Sequence, residues 1–249
     1  MRFVAAWRFL TIIPLPFIRE TSGHDLSRSL IYFPVVGLVI GMVLIGLSFL
    51  CQIFFAKPII SVLLTLIWLA ITGAMHLDGL ADTCDGLGGH TVTERLEIMK
   101  DSHHGTFGIA GIVCAVILRV FAISSLSQDW LTSALVMAPV TGRWAMVLAI
   151  TTFPYARPSG LGKIFQHEKT ISNLIAASLI VLVTSFLLPI WSGLLIILIA
   201  GLFTFFMGRF FQCQFGGLTG DNYGAINEVI EIVVLLLAGL FQKTGWLLI

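Results

Sequence analysis

Charge is scarce in this sequence. Only 11% of its 249 residues are Asp, Glu, Lys or Arg, against about 25% in an ordinary soluble domain. Hydrophobic residues make up 57%, and the mean hydropathy is +1.00. A soluble core of this size could not bury so much apolar surface. A formal net charge of +1 leaves no basic excess for a phosphate backbone, which argues against nucleic acid as a partner. Cysteine is sparse too. Cys51, Cys84, Cys114 and Cys213 show no CxxC spacing and three lie in or beside apolar runs, so neither a disulfide framework nor a zinc site is expected. Tandem repeats and low-complexity tracts are missing. The apolar start, Met1 to Phe17, is broken by Pro14 and Pro16 and has no small-residue cleavage site. It does not read as a signal peptide; it reads as an amphipathic segment lying in the membrane interface.

What is abundant is long apolar sequence. A membrane-spanning helix needs about 20 such residues. Candidates run over 30–55, 59–76, 106–127, 131–153, 172–190, 191–211 and 229–248. The expected fold is all-α: a polytopic integral membrane protein with about seven transmembrane helices and an N-terminal interfacial segment, residues 1–249 forming one domain in the lipid bilayer. Pro189 and Trp191-Ser192-Gly193 place a turn between the fifth and sixth candidates. With the N-terminus in the cytoplasm, Arg2, Arg8, Arg19, Arg28, Arg95, Lys100, Arg157, Lys163, Lys169 and Arg209 fall inside, and only Lys57 and Lys243 outside. That asymmetry predicts a multi-pass protein of the cell inner membrane, with 78–105, 154–171 and 212–228 on the cytoplasmic face.

Nine of the thirteen acidic residues fall in two windows: Asp78, Asp82, Asp85, Glu94, Glu97 and Asp101, then Asp221, Glu228 and Glu231. On a helix Asp78, Asp82 and Asp85 share one face. Like charges so arranged repel unless a cation neutralises them. Carboxylates without thiolates or clustered imidazoles select hard cations such as magnesium, manganese or calcium. A solvated loop surface is the plainer reading of the same pattern. Lys100, Ser102, His103 and His104, with amides near Gly105, could grip phosphate oxygens, or be an ordinary solvated loop. Gly220 permits close backbone approach, and Asp221 and Asn222 add oxygen ligands. Arg119 and Arg143 sit within apolar runs and need partners: an acid in a structural pair, or an anion at a cavity. Arg157 and Lys163, near Gly160 and Gly162, could meet a nucleotide phosphate or merely obey the positive-inside rule.

HLDGLADTCDGLGG (residues 76–89), EIMKDSHHGTFG (97–108) and GLTGDNYGAINEVIE (217–231) closely resemble three signature stretches of the cobalamin synthase family, the adenosylcobinamide-GDP ribazoletransferases. RFLTIIPLP (8–16) and YFPVVGLVIG (32–41) are similar to that family's N-terminus. Cys84 and the His103-His104 pair depart slightly from the expected pattern. The resemblance implies joining α-ribazole, or its 5′-phosphate, to adenosylcobinamide-GDP, with GMP released and magnesium required. It casts Asp78, Asp82, Asp85 and Asp221 as metal ligands and Lys100 as a neutraliser of developing charge. Asp82 is also counted catalytic, and Asp101 or Glu228 takes the proton of an attacking ribazole 5′-oxygen. His76, Ser102, His104, Arg143, Arg157, Gly220 and Asn222 are the candidate substrate-binding residues. A homo-oligomer is compatible with this reading. Two other classes compete. DGLAD (residues 78–82) also resembles the opening of the CDP-alcohol phosphotransferase signature, which has arginine after its alanine where this chain has Asp82. Membrane-embedded carboxylates also mark cation transporters, although those bind near the midplane.

Overall fold

Proline starts two of the apolar helices. Pro34 and Pro58 lie at the first positions of α3 (Phe33–Cys51) and α4 (Lys57–Thr72), where a missing N–H costs nothing. The computed structural model describes residues 1–15, 22–101, 103, 105–167 and 170–245. In chain order the remaining helices are α1 (Arg2–Leu10), α2 (Gly23–Ser27), α5 (Met75–Gly86), α6 (Val92–Ile98), α7 (Thr106–Ser125), α8 (Gln128–Thr152), α9 (Leu161–Ile164), α10 (Ile171–Ser185), α11 (Ile190–Phe215) and α12 (Gly220–Thr244). Short 3-10 turns at Leu30–Tyr32 and Phe165–His167 complete them. The expected all-helical polytopic architecture holds.

Among the described residues, five helices can by length and composition cross a membrane, or six if α4 and α5 count as one broken span. This corrects the expected seven. The segment 172–190 forms α10, whose 15 residues rise only about 22 Å, short of a hydrocarbon core of about 30 Å. The 59–76 candidate breaks at its end, where α4 and α5 meet at 88°. Gly73 (φ 61) and Ala74 (φ 54) are both left-handed there. Glycine takes this conformation freely, whereas alanine does so under strain held by its surroundings. The last span begins at Gly220 rather than 229.

α8 is the central post. Leu135, Ala138, Val140, Arg143, Ala145, Ala149 and Ile150 are wholly buried along it, packed against α3, α10 and α12. Around this post, α7 and α11 turn large apolar side chains outward, among them Ile109, Ile117, Phe121, Leu198, Phe203 and Phe206. Such a girdle would be an aggregation surface in water and suits lipid. At the N-terminus, α1 buries Ala5, Ala6, Trp7 and Leu10 inside the protein; its apolar face packs on the bundle itself.

The ends of the bundle differ. At one end Lys57 Nζ donates to the Leu126 carbonyl, Gln242 bonds Ser125 and Ser127, and Ser133 donates to Leu187. The opposite end gathers α5, α6, the 153–167 segment and the start of α12. Arg95 donates to the Gln214 carbonyl at 2.9 Å, and Leu218 exchanges backbone hydrogen bonds with Pro154 and Ala156, each 2.8 Å. The described residues of the three segments expected on one face, 78–105, 154–171 and 212–228, lie together.

Candidate functional site

The elbow after Gly73 lays α5 across the end of the bundle and against α12. The approach is close: a Cβ on Gly79 would stand 2.7 Å from the Asp221 carbonyl oxygen. Only glycine allows it, and it brings Asp78 beside the start of α12.

That start is firmly built. Thr219 Oγ1 accepts from Asn222 N (3.2 Å), and Asn222 Oδ1 accepts from Thr219 N (2.9 Å). This reciprocal cap satisfies two orphan donors of the helix. Asn222 Nδ2 also donates to Thr83 Oγ1 at 3.1 Å. Asn222 is fully buried and its amide is spent on the cap and on α5. Next to it, Asp221 pairs with Arg157 at 3.0 Å.

Between α1, α5, α8, the 155–165 segment and α12 lies a cavity of about 250 Å³. Its polar wall is His76, Asp78, Arg157 and Asp221; its apolar wall includes Phe9, Met146, Ile150, Phe165 and Tyr223. Phe9 and Phe165 meet edge-on with centroids 5.4 Å apart. Tyr155 and Tyr223 stack at 6.5 Å, and burial pushes the Tyr155 hydroxyl above its ordinary range. His76 is 2% exposed, and its Nε2 has no hydrogen-bond partner.

The cavity therefore brings together His76, Asp78, Arg157, Gly220 and Asp221 of the expected residues. The others lie elsewhere. Asp82 follows Asp78 by one turn on the same face of α5 but does not line this cavity. Asp85 is turned towards α7, accepting backbone N–H groups from Gly105 (2.7 Å) and Gly108 (2.8 Å), as a carboxylate at a helix N-terminus should. Among the described residues no three His, Cys, Asp or Glu side chains converge on a metal position. Lys100 and Asp101 are exposed and off this cavity. The His103 ring and then its backbone N–H hold the Asp101 carboxyl below the usual carboxylate range. Ser102 and His104 lie outside the described residues.

Glu228 and Arg143 belong to a second cluster, inside the bundle. Arg119 Nη2 donates to Glu228 at 2.5 Å and to Glu231 at 2.6 Å, Arg143 Nη1 donates to Glu231, and all four side chains are at most 3% exposed. The Arg119 guanidinium lies 4.6 Å from the centre of the Trp68 ring. Of the two readings open for the intramembrane arginines, the pairing with acids is the one the bundle displays. The apolar wall was not anticipated. Phe9 and Phe165 stand far apart in the chain, and no local pattern announces that they meet.

The Cobalamin-5-phosphate synthase family matches residues 2–239. The adenosylcobinamide-GDP ribazoletransferase of Roseiflexus sp. (strain RS-1) is 38% identical over 231 residues, covering 92% of this chain and 86% of that protein. The enzyme of the same name from Thermosynechococcus vestitus is 40% identical over 236 residues, 94% of each chain, and that from Geotalea daltonii is 36% identical over 236 residues, 94% and 95%. No solved structure matches. On these matches, which run almost the full length of the chain, it belongs to the cobalamin-5-phosphate synthase family.

Proposed function

We propose that the chain joins α-ribazole or its 5′-phosphate to adenosylcobinamide-GDP, the final step of cobalamin nucleotide-loop assembly. The observation that carries this is the meeting of Asp78, Asp221, Arg157 and His76 at one cavity, in a chain whose relatives bear that activity in their names.

In the transfer a ribazole hydroxyl oxygen bonds to the phosphorus that carries cobinamide, the bond from that phosphorus to the bridging oxygen breaks, and GMP leaves. The 5′-oxygen expected as nucleophile cannot serve an acceptor already phosphorylated there; a ring hydroxyl of the ribose accommodates both acceptors. Positioning and charge neutralisation dominate such reactions. Arg157 neutralises charge gathering on the phosphoryl oxygens. Asp82, one turn beyond Asp78, is the candidate acceptor of the hydroxyl proton.

Magnesium fits this donor set. It commonly takes only one or two carboxylates, the rest of its shell being water and substrate phosphate. Asp78 and Asp221 at the cavity are a sufficient protein share, with Asp82 adjacent; Asp85 is already engaged by two amides. When bound, the cation would offset the charge of the diphosphate. Orientation follows the basic residues. Arg2, Arg8, Arg28, Arg95, Lys100, Arg157, Lys163 and Arg209 belong to the cavity end, Lys57 and Lys243 to the other, which supports a cytoplasmic cavity and N-terminus at the inner membrane.

The test is turnover by the purified protein in detergent with adenosylcobinamide-GDP, α-ribazole and magnesium, following GMP and the new corrinoid. Product that disappears with EDTA and returns with added magnesium is expected. No product with any divalent cation would overturn the proposal, and a lipid product from a CDP-alcohol would replace it.

A further inference from the structure

The reaction brings two very different molecules to one cavity. One is a corrinoid bearing a diphosphate and guanine. The other is a flat benzimidazole with two methyl groups, carried on a ribose. At about 250 Å³ the cavity lies below the usual ligand-pocket range of about 300–1,000 Å³, so the corrinoid stays outside. What remains is a choice between two heterocycles, guanine and dimethylbenzimidazole.

The walls decide it. Met146, Ile150 and Phe165 are at most 3% exposed and form a floor with no donor or acceptor, closed by Phe9. Guanine carries a carbonyl, an amino group and ring nitrogens, each needing a partner when buried, and this floor would leave most of them unpaired. Dimethylbenzimidazole has two methyl groups and one free ring nitrogen. Of the two polar side chains buried against this floor, Tyr223 has its hydroxyl oxygen fixed by a hydrogen bond from Gln166 at 3.4 Å and keeps its own O–H as a donor. The other, His76, has an unpartnered Nε2. The charged groups stand higher: Asp78 is exposed, and the Arg157 and Asp221 side chains are 19% and 26% exposed. The cavity is apolar at depth and charged at its mouth, as a methylated aromatic riboside requires.

Building on the proposed function, we propose that this cavity is the seat of the α-ribazole base. The ring enters first, between Phe9 and Phe165 on one side and Met146 and Ile150 on the other. His76 Nε2–H donates to the free ring nitrogen. The ribose then stands at the mouth, its hydroxyls beside Asp78 and Asp221 and a 5′-phosphate, where present, towards Arg157. Adenosylcobinamide-GDP approaches from outside and its guanine never enters.

The experiment is direct binding to the full-length protein in detergent without the second substrate, by titration calorimetry. α-Ribazole is expected to bind at least about tenfold more tightly than guanosine. Replacing its two ring methyls by hydrogen should weaken it by at least roughly tenfold, since one methyl-sized group in an apolar pocket is commonly worth that much; this arm needs no variant and cannot be confused with misfolding. Met146→Trp, which fills the cavity, should raise the KM for α-ribazole at least about tenfold while leaving the KM for adenosylcobinamide-GDP within about twofold. Guanosine binding as well as α-ribazole, or Met146→Trp raising only the corrinoid KM, would overturn the assignment. If α-ribazole binds as expected but no GMP is released in turnover, the cavity assignment stands and the proposed reaction fails. If turnover proceeds but neither the methyl groups nor Met146→Trp alters α-ribazole, the reverse holds.

Discussion

Two acid-base clusters share this bundle, built from the same residue types and set to opposite uses. In the interior cluster Glu228 and Glu231 are held by Arg119 and Arg143 and sealed from solvent. At the cavity, Asp221 is paired with one arginine while remaining partly open, and Asp78 is exposed. Along the sequence they look alike in kind: carboxylates beside apolar runs, with arginines elsewhere in the chain. What separates them is the partner supplied by other helices. A carboxylate between two buried guanidiniums serves cohesion; one facing a cavity can meet a cation or a phosphate.

The contrast can be broken first at Glu231. Glu231→Gln leaves buried Arg143 without its counter-charge, and removing one partner of a buried pair costs about 3–5 kcal/mol. A clearly lower thermal midpoint in detergent is expected, while the kcat of whatever folds stays within a few fold. An unchanged midpoint with lost turnover would place chemistry inside the bundle. Asp78→Asn sharpens the other side: kcat should fall by about a hundredfold with the melting midpoint unmoved. A rate near wild type would remove Asp78 from the metal and phosphate chemistry. The smallest effect is expected at Asp101. Its folded pKa is lowered, so the stabilisation from His103 is present above the unfolded value of about 3.9 and is lost as pH falls through the folded one. Between pH 6 and 9 the carboxylate is ionised throughout and a weak base. Asp101→Asn should therefore leave the rate within about twofold across that range, and a fall of about a hundredfold throughout it would make Asp101 the proton acceptor after all.

The row Asp78, Asp82 and Asp85 was legible because one helix carries it, and i, i+4, i+7 spacing needs no tertiary knowledge. Its division of labour was not, because the amides that engage Asp85 come from Gly105 and Gly108 on another helix. The start of α12 was misplaced for a related reason. Asp221, Asn222, Asn227, Glu228 and Glu231 depress the local hydropathy, yet all belong to the helix, the last four fully buried by partners that composition does not reveal. Residue 186 onwards reads as a continuation of the α10 run because Phe186, Leu187 and Leu188 are apolar; the chain turns there, at Pro189. The aromatic wall of the cavity depends on α1 meeting the 155–165 segment, a pairing with no periodic signature.

The 88° elbow at Gly73–Ala74 has a geometric effect of its own. A straight continuation of α4 would have spread Asp78, Asp82 and Asp85 over about 10 Å along the axis of that helix, each at a different distance from the centre of the bundle. Turned sideways, the same row lies across the end of the bundle at nearly one level, so that Asp78 can face the cavity while Asp85 reaches the start of α7.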